Sequence, residues 1–212
     1  ITVFADPLQR IRTGLTARKP IIIGNTEDDG TFFTFGQTNL TAFLHSTIGG
    51  LVPADVVRSL YPGMNDTEII ADAIRDLVFR CPASLWGAAF VESGVPDVFR
   101  YSYGDIFMSR RRPVLILMIC KGAIFADTQV FPGAGAWHAS ELPELFGTFN
   151  ASTATPNEVT LSSTFQAAFA NFIKDPTSSP ARGWPKYVPG NSTQTLAKIA
   201  YMDNVKPNDF VQ

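Results

Sequence analysis

The sequence contains two histidines, His45 and His138, and only the second stands where imidazole chemistry is easy to build. His138 follows Phe131-Pro132-Gly133-Ala134-Gly135-Ala136-Trp137. A histidine on a Gly-rich loop after a strand is free to reach across a sheet edge and work as a general base. His45 falls inside a helical pattern of mixed character, where a structural role is expected. A partner for His138 is available far upstream. Asn25-Thr26-Glu27-Asp28-Asp29-Gly30 gathers three carboxylates behind a short apolar run. A carboxylate at a strand end can accept the Nδ1 hydrogen bond of an imidazole and stabilise the imidazolium. The same run also suits a solvated acidic turn, so the residue types alone leave both readings open. Neither histidine has carboxylate or cysteine partners at metal-ligand spacing, and no metal or organic cofactor is implied.

These residues need elements to position them. Pro20-Ile21-Ile22-Ile23-Gly24 is a β-branched run stopped by glycine, as expected of a buried parallel strand. The acidic loop then lies at the strand's C-terminal end, the edge where open α/β sheets place their chemistry. Before that strand, Thr2-Val3-Phe4-Ala5-Asp6-Pro7 suggests an extended entry followed by a turn. Helices are expected over 40–48 and 54–60, the second entered through Pro53. The best helical pattern is 67–79. Thr67 can cap it, and Ile69, Ile70, Ala73, Ile74, Leu77 and Val78 form an apolar stripe at helical spacing. Pro82 is expected to interrupt it before a resumption over 83–90. A strand follows over 98–103, a helix opens at Glu158 or Ser162 and runs through 173, and a last strand covers 196–201. This alternation implies α/β architecture, with too few strands for a complete doubly wound sheet.

Composition limits the function classes. The chain has 212 residues, enough for one domain with a sizeable core. The net charge of -2 provides no basic field for nucleic acid. The longest apolar run, 114–120, is far too short for a bilayer span. Cys81 and Cys120 do not make a disulfide framework; they could pair, but Cys81 in its apolar context is expected to be a buried free thiol. Four Asn-x-Ser/Thr sequons, at Asn39, Asn65, Asn150 and Asn191, favour a secreted, N-glycosylated protein.

Several motifs then fall into one register. Gly24-Asn25-Thr26-Glu27-Asp28-Asp29-Gly30-Thr31-Phe32-Phe33 resembles the acid-residue motif of the type-B carboxylesterase/lipase family, which includes cholinesterases and fungal lipases. Ala136-Trp137-His138-Ala139-Ser140-Glu141-Leu142 with Phe146-Gly147 resembles its catalytic-histidine motif. Phe79-Arg80-Cys81-Pro82 and Trp184-Pro185-Lys186-Tyr187 fit the same family, and 161–201 is similar to its fungal members. The resemblance implies an α/β fold, here the C-terminal portion of an α/β-hydrolase with an incomplete parallel-type sheet and flanking helices, over residues 1–212. It implies that His138 is the general base and Asp29 the acid, with Glu27 or Asp28 as alternatives. Glu141 is expected to hold the histidine loop. Phe32, Phe33, Phe35 and Trp137 are expected either to pack in the core or to line an apolar gorge.

The sequence departs from the family pattern in two ways. It has no Gly-x-Ser-x-Gly elbow and no Gly-Gly-Gly oxyanion loop. The resemblance therefore implies that the nucleophile belongs to an N-terminal part of the same fold, and that this chain by itself is inactive and poorly soluble. The second departure is residues 105–122, with Arg110-Arg111-Arg112-Pro113 ahead of seven apolar residues. The expectation is a retained intron translated in frame; a surface insertion and a basic processing site are the alternatives. The leading function is hydrolysis of small-molecule or lipid carboxylic esters. The alternative is a binding or adhesion module on the same fold, and retention of both His138 and Asp29 favours the enzyme.

Overall fold

The computed structural model describes residues 4–104, 130–131 and 133–200. Residues 105–122 and Cys120 lie outside them, as does the far end of the last expected strand. The described elements run in the order α1 (Pro7–Arg12), β1 (Ile21–Thr26), α2 (Leu40–Ile48), α3 (Ala54–Leu60), α4 (Asp66–Ile74), a π-helical stretch (Arg75–Arg80), α5 (Cys81–Glu92), β2 (Val98–Tyr103), α6 (Leu142–Phe146), α7 (Pro156–Lys174), a helical turn (Ser192–Thr195) and β3 (Leu196–Ile199).

The three strands form one parallel sheet in the order β1-β2-β3. Ile21 pairs with Val98 and Thr26 with Tyr103, and Tyr103 pairs in turn with Ile199. All six residues of β2 are buried, as a central strand covered on both faces must be. Side-chain alternation divides it. Phe99, Tyr101 and Tyr103 meet Leu161, Phe165 and Ala168 of α7 and the ring of Trp184, which is the main core. Those α7 positions recur at helical spacing, so one stripe faces the sheet. On the opposite face the buried Arg100 donates to Ser84 Oγ at 2.8 Å and to Asn25 Oδ1 at 3.3 Å. A second, smaller core joins α2, α3 and α4 through Leu40, Val57, Ile69 and Ile70.

Several local expectations are corrected. In place of the turn expected at Asp6-Pro7, a helix, Pro7–Arg12, begins, because Asp6 accepts from Gln9 N–H and Pro7 stands in the first turn, where its missing N–H matters least. Asn65, not Thr67, caps α4, since only Asn65 can form a reciprocal capping box with Glu68. α7 opens at Pro156, earlier than expected, through a second capping box between Thr155 and Glu158. Pro82 does not break the helical path from Asp66 to Glu92; the wider π stretch lies directly before it and takes up its ring and its missing donor. The same stretch shifts the helical phase, so Leu77 (73% exposed) and Val78 (53%) point outward instead of continuing the buried stripe. Cys81 is a free thiol but exposed, because it starts α5 on the outer side of the helical path. No helix among the described residues is long and apolar enough to cross a membrane.

Candidate active site

The acid loop begins where β1 ends. Thr26 is the last strand residue, and its N–H donates back to Asp29 Oδ2 at 2.8 Å. Glu27 N–H donates to Tyr103 O at 2.8 Å, carrying the β1–β2 pairing one residue further. The three neighbouring carboxylates are thereby sent to three different tasks. Glu27 lies 3.8 Å from Arg75 Nη1 and accepts from Ser102 Oγ at 3.4 Å. Asp28 accepts from Ala136 N–H through Oδ2 at 3.1 Å, while its own N–H donates to Ala136 O at 3.0 Å. Asp29 Oδ1 lies 2.8 Å from His138 Nδ1.

Asp28 thus fastens the histidine loop to the acid loop. Thr31 adds a third link, its Oγ1 donating to Ala134 O at 2.8 Å. Gly135 has φ of 63°, and a Cβ there would overlap the Asp28 carboxylate, so the loop can close only around glycine. Gly30 carries the same logic toward the helices, because a Cβ there would overlap the carbonyl of Ala71 in α4. After His138 the chain turns sharply. Ala139 takes a left-handed φ of 75°, a strained conformation for a residue with a Cβ. Ser140 N–H to Trp137 O at 2.9 Å and Leu142 N–H to Ala139 O at 3.1 Å hold that turn and start α6. α6 is in turn tied to α7, where Ser162 Oγ donates to Glu144 O at 2.6 Å.

The pair is polarised between interior and surface. The Asp29 side chain is 3% exposed and that of His138 is 45% exposed. An ionised carboxylate only accepts. With Thr26 N–H on one oxygen, the other accepts a hydrogen bond from His138 Nδ1–H. Nε2 is then the nitrogen with a lone pair, on an imidazole whose side chain is nearly half exposed. Glu141 lies within electrostatic reach of Asp29, His138 and the Tyr101 hydroxyl. Burial pushes the Glu141 carboxyl above its ordinary value; its own backbone N–H opposes the rise and Asp29 adds to it. Burial also pushes the Tyr101 hydroxyl well up, with Glu141 and Asp29 contributing.

Aromatic rings form the wall around the imidazole. Phe33 and Phe79 lie 5.3 Å and 4.7 Å from the His138 ring, and Phe32 stacks on Trp137 at 5.6 Å. Phe32, Phe33 and Phe35 are all exposed, so they are not core residues. In the sequence, Phe79 stands out only as the first residue of the Phe79-Arg80-Cys81-Pro82 motif. Its spacing gives no hint of contact with His138, because the π stretch that brings it there has no sequence period. His45 is exposed near the end of α2 and has no place in this cluster. Among the described residues, no group of three His, Cys, Asp or Glu side chains could hold a metal ion.

No family model matches the chain. Comparison with individual proteins does find relatives. Over 199 residues the chain is 29% identical to para-nitrobenzyl esterase of Bacillus subtilis (strain 168), covering 88% of this chain and 35% of that protein. A solved PNB esterase structure superposes with a TM-score of 0.56 at 26% identity, over 85% of this chain and 34% of that one. The fold is part of an α/β hydrolase. The chain is also 23% identical over 199 residues to Crystal protein of Dictyostelium discoideum, covering 87% of this chain and 33% of that protein. It therefore spans about a third of the length of the curated relatives it matches. Homology to para-nitrobenzyl esterase, at modest identity, agrees with the motif resemblance; the narrower likeness to fungal members has no counterpart among these relatives.

Proposed function

We propose that this chain supplies the acid and the base of a serine carboxylic-ester hydrolase, acting on small-molecule or lipid esters. The observation that carries the reading is the 2.8 Å contact between His138 Nδ1 and the buried Asp29, on loops at the C-terminal edge of a parallel sheet. Esterase homology supports it. His138 Nε2 takes the proton of a serine hydroxyl as that oxygen attacks the ester carbonyl, and returns it to the departing alcohol. Asp29 holds the tautomer and faces the imidazolium that forms. The serine and the oxyanion donors come from a part of the fold that these 212 residues do not contain, since no Gly-x-Ser-x-Gly occurs among them.

The test uses the native polypeptide that carries this chain, with a fluorophosphonate probe and a short-chain para-nitrophenyl ester. His138→Ala and Asp29→Asn should each lower kcat by about 10³-fold or more. The same two changes should slow probe labelling. Labelling and turnover that survive His138→Ala would overturn the assignment. A wild-type protein that takes no probe would instead favour a binding module on the same scaffold.

A further inference from the structure

We propose that Phe79 is a positioning residue for His138, packing with Phe33 against the imidazole so that its second nitrogen is held in one direction. This rests on the reading of His138 as the general base. Three rings touch one another. Phe79 lies 4.7 Å from the imidazole at 39°, Phe33 lies 5.3 Å from it at 56°, and Phe33 stacks on Phe79 at 5.6 Å and 25°. The Asp29 hydrogen bond fixes one atom of the imidazole but leaves the ring able to swing about that contact. Rings packed at its side restrict the swing. They also present aromatic faces to the ring as it gains a proton, an attraction that an aliphatic side chain of similar size cannot supply.

The backbone shows how Phe79 comes to be there. It lies in the π-helical stretch Arg75–Arg80, between the regular helices α4 and α5. A π turn inserts about one residue into the helical count, a phase shift of roughly 100°. Leu77 and Val78 turn to solvent across this stretch, while Phe79 is half-buried against the site. Arg75 opens the stretch and anchors it to the acid loop, donating to Glu27 O at 3.3 Å and pairing with Asp72 and Asp76. A conformation this uncommon therefore joins the acid loop at one end to the face of the histidine near the other. Single π turns inside α-helices are found mostly at functional sites.

The experiment compares wild type, Phe79→Leu and Phe79→Tyr in the native polypeptide. Diethyl pyrocarbonate reacts with neutral imidazole nitrogen, and peptide mass spectrometry reads His138 and His45 separately. His45 is exposed near the end of α2 and makes no ring contact with the cluster, so it serves as an internal reference. Phe79→Leu should raise the His138-to-His45 modification ratio about fivefold and lower kcat for the ester by a similar factor with KM little changed. Phe79→Tyr keeps the ring and should stay within about twofold of wild type in both. A ratio unchanged in Phe79→Leu, or Phe79→Tyr behaving like Phe79→Leu, would overturn the clamp. The modification ratio needs no turnover, so it decides the clamp even if the fluorophosphonate result goes against the hydrolase reading.

Discussion

At the residue scale, the site works by separating neighbours. Glu27, Asp28 and Asp29 are chemically alike, yet one faces Arg75, one holds the Ala136 backbone and one meets His138. The middle one has the least obvious role and a large structural duty, because it fixes the loop that presents the histidine. Glu141 is a largely buried carboxyl beside the Asp29 carboxylate. Burial raises its pKa above the ordinary 4.5. The native state then holds the proton at a pH where the unfolded chain has already lost it. Stability should accordingly fall as pH rises from 4.5 through the raised folded value. Glu141→Gln keeps the shape of the side chain without the charge, and should flatten that slope and raise the urea midpoint near neutral pH. Midpoints measured between about pH 4 and pH 7 decide it; equal slopes in both proteins would show that Glu141 is not the group responsible.

At the element scale, the helical path from Asp66 to Glu92 positions the site as much as the sheet does. Its start is well determined. Asn65 and Glu68 form the capping box, and Asp66 accepts from Leu40 N–H and pairs with Arg58, locking α4 to α2 and α3. Asn65→Ala should cost about 1 kcal/mol and lower Tm by a few degrees, with little effect on the site, which the helical path reaches several turns later at Phe79. Thermal unfolding and ester turnover on the same variant check this; a loss of turnover at unchanged Tm would contradict it. The middle of the path is where periodicity misleads. A stripe extrapolated through Leu77 and Val78 assumes a constant turn, and the π stretch breaks that assumption just where Phe79 reaches His138.

At the scale of the whole molecule, much apolar surface faces water. Leu51, Leu60, Leu77 and Ile173 are strongly exposed, with Trp86 and the Phe32, Phe33 and Phe35 group beside them in the same class. β1 forms one end of the strand order, with no further strand beyond it among the described residues. Exposed apolar patches and an open parallel edge both favour association. Expressed by itself, the 212-residue chain should therefore associate with itself at micromolar concentration and hydrolyse no ester. Light scattering and an esterase assay test both statements. A monodisperse monomer would show that these surfaces are compatible with an isolated state, and serine-dependent turnover would overturn the view that the nucleophile lies elsewhere.

Much of this was legible from the residues. A β-branched run before a carboxylate cluster located β1 and the acid loop, helical spacing located α2, α3 and the first part of α4, and motif order brought Asp29 and His138 forward as partners. These signals are local, set by propensity, capping groups and hydrophobic period, so a linear sequence carries them. What the sequence left open was decided by contacts between distant segments. Which of three adjacent carboxylates meets the imidazole depends on the turn that Thr26 N–H and Ala136 impose on the loop, and those groups are more than a hundred residues apart along the chain. The exposure of Cys81, the unbroken helix through Pro82 and the place of Phe79 all depend on a π turn. Such a turn has no period of its own, and it persists here with Arg75 anchored to the acid loop and Phe79 packed against the histidine.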